Sequence, residues 1–527
     1  MKKLLAMLLV LAMALSMVAC SGKADAGLSV GVDDMITDAA PTWDTSKKDE
    51  IVISAMANYY ESGWKMMAEE YMKLHPETTV TVDVVADNDT LTQKFVTWFA
   101  SDDLTDASDI THINFAGSVG GSDLLMERGQ VYDFTKLIDT VNPYTGTVMR
   151  DYLYDEDIAA FTRVHGVSAI PFDHVAVAMM VNVDLLKEHG LEVPKTMEDL
   201  IAACAKLKEG GVETPILATP EGSYFISVLG DAAMRDMYGD FIYKTTDEGY
   251  DPATMAANDG YKYDPAVPGG DKDLKINEEA KAAYIKANGF DTDLSLSIWE
   301  EYAKLHPYFN ANYLASASTD VLTSFEMQNG AFLISGSWNV GVLNKDVQEM
   351  GEDGFEWVTV AFPSYANKPE GWATGNIRSL YVMGNEMGII KTKGDDADHL
   401  ARVIDFYQFV YNPVGCAMMF EKTLADGYFV QGNTAIKGVT LPEDVTAKLE
   451  GFYQEAPMRS DLDALFGKEY YMSEDMGTYR EFFNKLGTEL DAASFMAAIK
   501  DINNRRLDDN IDQNNWDLNP ATKEEHK

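Results

Sequence analysis

A chain of 527 residues exceeds one domain of roughly 100–200 residues, so two or three domains are expected. Its 46% apolar content supports a sizeable packed core and excludes an intrinsically disordered chain. With 85 acids against 42 bases the formal net charge is −43, a surface that repels phosphate backbones and excludes nucleic acid as a partner. The same excess is a solubility feature of a secreted protein or, if acids converge in a pocket, the mark of a cationic ligand such as a polyamine or a metal.

At the start of the chain, Lys2 and Lys3 precede an apolar run over residues 4–17. That run has the length of a signal-peptide core and is too short for a comfortable membrane span. It ends in Met17-Val18-Ala19-Cys20, which resembles the lipobox of bacterial lipoproteins, with Met17 where Leu is usual. The resemblance implies a signal peptide over residues 1–20 and lipidation of Cys20. A diacylglycerol anchor carries more than one acyl chain, so attachment would last. Residues 21–48 are rich in Gly, Ala, Ser, Asp and Thr without a sustained period, and predict a flexible tether. No later stretch approaches a transmembrane span.

Ordered structure is expected from residue 51. Residues 51–56 are a short apolar run of buried-strand type. Ser62 is a candidate helix cap, and Trp64, Met67, Ala68, Tyr71 and Leu74 follow at helical spacing up to His75-Pro76. Trp64 therefore belongs to the core face of its helix. Residues 79–85 alternate, with Val80, Val82 and Val84 on one face, which predicts a second strand. A helical stretch over 91–100 precedes a third strand over 109–115. Strands alternating with helices predict βαβ units and a parallel sheet. Further strands are expected over 175–182, 215–218, 331–335 and 357–361. A helix after Thr196, with Asp199 three residues on, carries a capping pattern. A strongly amphipathic helix is expected over 397–410. The Asp-, Gly- and Pro-rich composition after residue 247 reads as an insertion extending to about residue 320.

Cys204 and Cys416 lie far apart in helical, apolar surroundings and read as small buried hydrophobes, with a disulfide as the alternative. No Cys or His spacing suits zinc, and Asp87-Asn88-Asp89 lacks the glycine and closing Glu of a calcium loop. The 27 Met read as core filler. No metal or other cofactor is expected.

Four passages, in order, resemble the family-1 extracellular solute-binding proteins. The first is the strand and Trp-containing helix ending in Leu74-His75-Pro76-Glu77 before a Val-rich strand. The second is Gly166-Val167-Ser168-Ala169-Ile170-Pro171, followed by Val181-Asn182-Val183-Asp184-Leu185-Leu186. The third is Gly190-Leu191-Glu192-Val193-Pro194-Lys195-Thr196-Met197-Glu198-Asp199-Leu200, with Met197 where the family has Trp. The fourth is Asn329-Gly330-Ala331-Phe332-Leu333-Ile334-Ser335-Gly336-Ser337-Trp338. The resemblance spans residues 49–510. It implies an α/β protein of two lobes, each a mixed sheet flanked by helices, joined by a hinge that closes on a ligand in a cleft. The expected division is 49–172 with 362–420 for lobe 1, and 173–361 with 421–527 for lobe 2.

Ligands of open α/β sheets bind outside the carboxyl ends of strands. Sugar recognition needs aromatic rings for the apolar ring faces and Asp, Asn, Glu or Arg for the hydroxyls. Tyr59, Tyr60 and Glu61 follow the first strand, and Asn114 and Phe115 end the third. Tyr224 and Phe225 stand where the resemblance implies a sugar-stacking tyrosine, and Trp338 where it implies a stacked tryptophan. Trp372 and Arg378 lie after the expected return to lobe 1. Each aromatic has core packing as its competing reading.

The resemblance implies a lipid-anchored receptor on the extracellular face of a bacterial membrane. A monomer, it would capture a carbohydrate and deliver it to an ABC-type permease. A receptor of the same fold for a cationic or peptide ligand is the alternative. A secreted glycosidase or lyase needs two carboxyl groups at a defined separation, and nothing in the sequence singles out such a pair. No nucleophile elbow or phosphate loop is present, so no catalytic residue is assigned.

Overall fold

The computed structural model describes residues 29–518, apart from 58, 102, 253–254, 268, 273, 429, 454–455 and 469–475. Cys20 and the signal peptide lie outside the described residues. The described contacts divide the chain into two compact units. The first comprises the chain up to Phe172 with Asn385–Val430 and Thr434–Thr440; the second comprises Asp173–Gly384, Gln431–Asn433 and the chain from Leu441. The return to the first unit falls at Asn385, later than the expected boundary at 362. The reason is that strands Trp357–Val360 and Leu380–Gly384 both pair with Asp173–Asn182 of the second unit. Trp372 and Arg378 therefore belong to the second unit.

The first unit holds a four-stranded sheet in the order Met387–Ile389, Ile110–His112, Asp49–Met56, Thr78–Val85. The last three run parallel, as the alternation of strands and helices predicts; Met387–Ile389 is antiparallel. Helix Glu61–Leu74 begins after Tyr60, so Ser62 lies inside its first turn and does not cap it; the helix buries Gly63, Trp64, Met67, Ala68 and Tyr71 on one face, the stripe its spacing dictates. It ends at His75 because the residue before a proline is pushed out of the helical region. Strand Thr78–Val85 keeps Val80 buried and Val84 exposed, since an edge strand is covered on one side along only part of its length. The third strand is shorter than expected. Past His112 the chain turns into a 3₁₀ segment, Ile113–Val119, that leaves through Gly120 and Gly121, both at positive φ.

Residues 29–48, expected to be a tether, pack onto this unit instead. Met35 and Trp43 are buried. The Ile36 amide donates to the Tyr144 carbonyl at 2.9 Å. The Trp43 indole N–H donates to Glu77 at 3.0 Å, and the Arg402 guanidinium lies 5.5 Å from the Trp43 ring. Arg402, fully buried, also donates to the carbonyls of Asp44 and Lys47. Polar composition hid a segment held by two apolar side chains and one guanidinium.

The second unit centres on the strand Asp173–Asn182. Phe332–Gly336 pairs along one edge of it, and Ile216–Ala218 lies parallel beyond that; Leu380–Gly384 and Trp357–Val360 share the other edge. The strand is buried over nearly its whole length, so its sequence is continuously apolar rather than alternating. Helix Met197–Glu209 begins with the predicted capping box between Thr196 and Asp199.

The expected insertion resolves into two parts. Residues 278–305 form helices Glu278–Asn288 and Asp293–Leu305, whose Ile298, Trp299 and Tyr302 are fully buried in the core. Apolar residues at helical spacing outweigh the loop-like composition that precedes them. The irregular excursion is confined to residues 243–277. It is closed at its base by an Ile242–Ile276 bridge and by the Tyr243 amide on the Lys275 carbonyl at 3.0 Å. Cys204 and Cys416 are both buried, and among the described residues neither forms a disulfide; the Cys416 thiol meets the Thr434 hydroxyl. Among the described residues no helix is long and apolar enough to cross a membrane.

Candidate functional site

In the first unit the candidate residues sit in two turns. Tyr59 and Tyr60 join strand Asp49–Met56 to helix Glu61–Leu74. Tyr60 adopts φ 55°, a left-handed conformation that a bulky side chain occupies only under local constraint. Its ring is buried between Phe172 and Phe420, 5.3 Å from each centroid. Tyr59 is half-buried beside it, and Glu61, half-buried, pairs with Lys65 at 2.5 Å. Asn114 is exposed and Phe115 half-buried in the 3₁₀ turn, and Phe115 lies 6.5 Å edge-to-face from His112. Burial with no charged partner lowers the pKa of His112 to about 4, so it is a neutral packing group at pH 7.

In the second unit Tyr224 opens helix Tyr224–Met234 after the turn Pro220–Ser223 and remains 38% exposed, with the Lys468 ammonium 4.9 Å from its ring. Its neighbour Phe225 points the other way on the helix and packs into the core, 4.9 Å from Phe362. Trp338 lies half-buried in the turn Ser337–Asn339 that ends strand Phe332–Gly336. Its ring covers Gly336 so closely that an added Cβ there would lie 2.2 Å from the indole. Trp372 is fully buried: its indole N–H donates to Ser297 at 2.9 Å and its ring meets Tyr365 edge-on.

Arg378 is the centre of a buried ion-pair network. Its guanidinium chelates Asp231 through Nε and Nη2, and Asp271 through Nη1 at 2.8 Å and Nη2 at 2.9 Å. Burial opposes the charge on Arg378, but these two carboxylates raise its pKa. Burial likewise pushes the Asp271 carboxyl up, and the bonds from Arg378 outweigh it and hold it below the usual range. Two bidentate pairs occupy every nitrogen of Arg378, so its first task is structural: it fastens the excursion, through Asp271, to the end of helix Tyr224–Met234. Arg459 adds donations to the carbonyls of Asp271 and Leu274.

Above this network lies a cavity of about 470 Å³. Arg235, Asp271, Asn376, Ile377 and Arg378 line it from the body of the unit, and Tyr261 and Tyr263 from the excursion. Reading the sequence found only Arg378 among these. Asp231 and Asp271 stand 147 and 107 residues from it, and no local period links the three. The usable signal was the pair of tyrosines in a polar, Gly- and Pro-rich stretch, where aromatic side chains have no core of their own to fill. Among the described residues no group of three or more His, Cys, Asp or Glu side chains is arranged to hold a metal.

The family model of the bacterial extracellular solute-binding proteins matches residues 57–415. No relative among curated proteins matches the sequence. Among solved structures, RafE in complex with raffinose is similar over 86% of this chain and 99% of its own, at 15% identity and a TM-score of 0.52. Maltose-bound MalE3 of T. maritima is similar over 87% and 100%, at 13% identity and a TM-score of 0.54. A chitin oligosaccharide binding protein is similar over 87% and 99%, at 15% identity and a TM-score of 0.54. At such identities the likeness establishes the fold.

Proposed function

This chain belongs to the bacterial extracellular solute-binding proteins, and we propose that it is a carbohydrate receptor, anchored through Cys20 outside the cell membrane, that delivers an oligosaccharide to an ABC-type permease. The observation that carries the sugar assignment is the chemistry left accessible at the turns that follow strands. Tyr59, Glu61, Asn114 and Phe115 in the first unit, and Tyr224 and Trp338 in the second, are exposed or half-buried. They supply the rings and hydrogen-bonding groups that pyranose faces and hydroxyls require. Tyr60, Phe225, Trp372 and Arg378 act behind them in this reading, holding the turns in place. The raffinose, maltose and chitin-oligosaccharide ligands of the structural neighbours point to the same class of solute. Binding releases the solute unchanged, so the function is capture without chemistry.

A thermal-shift screen of the purified chain against neutral oligosaccharides, polyamines, peptides and divalent metals tests this. A ligand that binds only the folded state stabilises it by about 2.7 kcal/mol at a hundredfold excess over Kd. A shift confined to one sugar class, abolished by Trp338→Ala, is the expected result. A shift with polyamines or peptides and none with sugars would overturn the carbohydrate assignment.

A further inference from the structure

We propose that the excursion over residues 243–277 builds a sugar subsite within the second unit, with Arg235 as its hydrogen-bond donor and Tyr263 as its stacking surface. The proposal rests on the carbohydrate reading above and extends it to residues outside the four passages that carry the resemblance.

Arg235 is the cavity-lining arginine whose side chain is not fully bonded. It is only 4% exposed, and its Nε–H is buried with no hydrogen-bond partner among the described residues. Its Nη2 bonds Asp231 and, at 3.1 Å, the Asn376 carbonyl. That Nε–H is sealed from solvent, so donation to a ligand falls to the rest of the guanidinium, which lines the cavity. Arg235 lines the cavity of about 470 Å³, a volume within the range of roughly 300–1,000 Å³ typical of small-molecule sites. The Tyr263 ring sits 5.7 Å from the Arg235 guanidinium. The guanidinium thus covers one face of the ring, and a sugar would stack on the other, with the donor behind the ring it packs on.

Charge selects the ligand class. Arg235 and Arg378 face Asp231 and Asp271, two cations against two anions, so the floor of the cavity is neutral in sum. Asp264 on the rim is the further charged group of the lining. The large negative charge of the chain is not gathered here, and the site favours a neutral polyhydroxylated ligand over a polyamine. The wall itself is set by backbone fit. An added Cβ at Gly239 would lie 2.8 Å from the Tyr261 carbonyl, so only glycine lets the excursion lie against the helix Tyr238–Phe241. Asp271 clamps the other end to Arg378.

The test is calorimetric titration of the full chain, wild type, Tyr263→Ala and Arg235→Lys, with raffinose, maltose and a chitin oligosaccharide series. Tyr263 is half-buried on the excursion, so Tyr263→Ala keeps the fold whatever Arg235→Lys does. The expected result is a loss of about tenfold in affinity, in both variants, for whichever sugar the wild type binds. Unchanged affinity in Tyr263→Ala overturns the subsite while leaving the receptor reading standing. Wild-type protein that binds none of these sugars but binds a polyamine overturns both.

Discussion

At the scale of single residues, two contacts make sharp predictions. Trp338 lies on Gly336 with no room for a methyl group between them, and the nearest atoms are ring carbons, which can give way only if the whole indole moves. Gly336→Ala must rotate the indole out of its present position. If that indole stacks on sugar, affinity in a calorimetric titration falls at least tenfold; if the indole only packs, melting temperature falls and affinity stays. The second contact is His399, whose Nδ1 and Nε2 lie 2.8 Å from Asp49 and Asp109. Burial disfavours its charge, but the bonds to Asp109 and then Asp49 prevail and raise its pKa. Lys393 also faces Asp49, and Thr392 bonds both Asp109 and His399. A histidine whose folded pKa is raised stabilises most below its unfolded value near 6.5 and loses that contribution as pH climbs through the folded value. The wild-type melting temperature should therefore decline above pH 6.5 more steeply than that of His399→Gln, measured by calorimetry across pH 6–9. Parallel slopes would remove His399 from the account.

Secondary-structure elements were the most legible level. The helix after Thr196 shows why: its start is written in four adjacent residues. The Thr196 hydroxyl accepts from the Asp199 amide at 3.1 Å, and the Asp199 carboxylate accepts from the Thr196 amide at 3.2 Å. Thr196→Ala removes one side of this exchange and should cost about 1 kcal/mol in urea unfolding, with the slope unchanged. A helix nucleated chiefly by packing would instead show no loss. Elements failed to read correctly where composition and packing disagreed. The strap over residues 29–48 is polar on average, yet Trp43 and Met35 anchor it. Residues 293–305 follow a Gly- and Pro-rich stretch, yet their apolar face is a core helix. The third strand ran short because the residues after His112 were needed in a turn, a geometry that an apolar run does not announce.

On the scale of the whole chain, its division depends on strand pairing. The segment between residues 357 and 384 stays with the second unit because both its strands find partners on Asp173–Asn182. That assignment changes what Trp372 and Arg378 do. Trp372 closes over Ser297 and Tyr365, and Arg378 joins Asp231 to Asp271; both support the second unit from within. The same pairing turns the excursion into the wall of a cavity rather than a free loop.

Sequence by itself determined the family, the α/β class with mixed sheets, the alternation of strands and helices in the first unit, the cap at Thr196, and the apolar faces of helices. These follow from local periodicity and from short motifs whose residues are neighbours in the chain, so one segment carries the whole signal. Tertiary structure alone decided which aromatics stay accessible, which are spent on the core, and which charges are already paired. Arg378 read as a ligand contact and is saturated by two aspartates, while Arg235, unremarked in sequence, keeps an N–H without a partner among the described residues. The difference lies in contacts across more than a hundred residues, and pairing over such distances is fixed by packing, on which local patterning is silent.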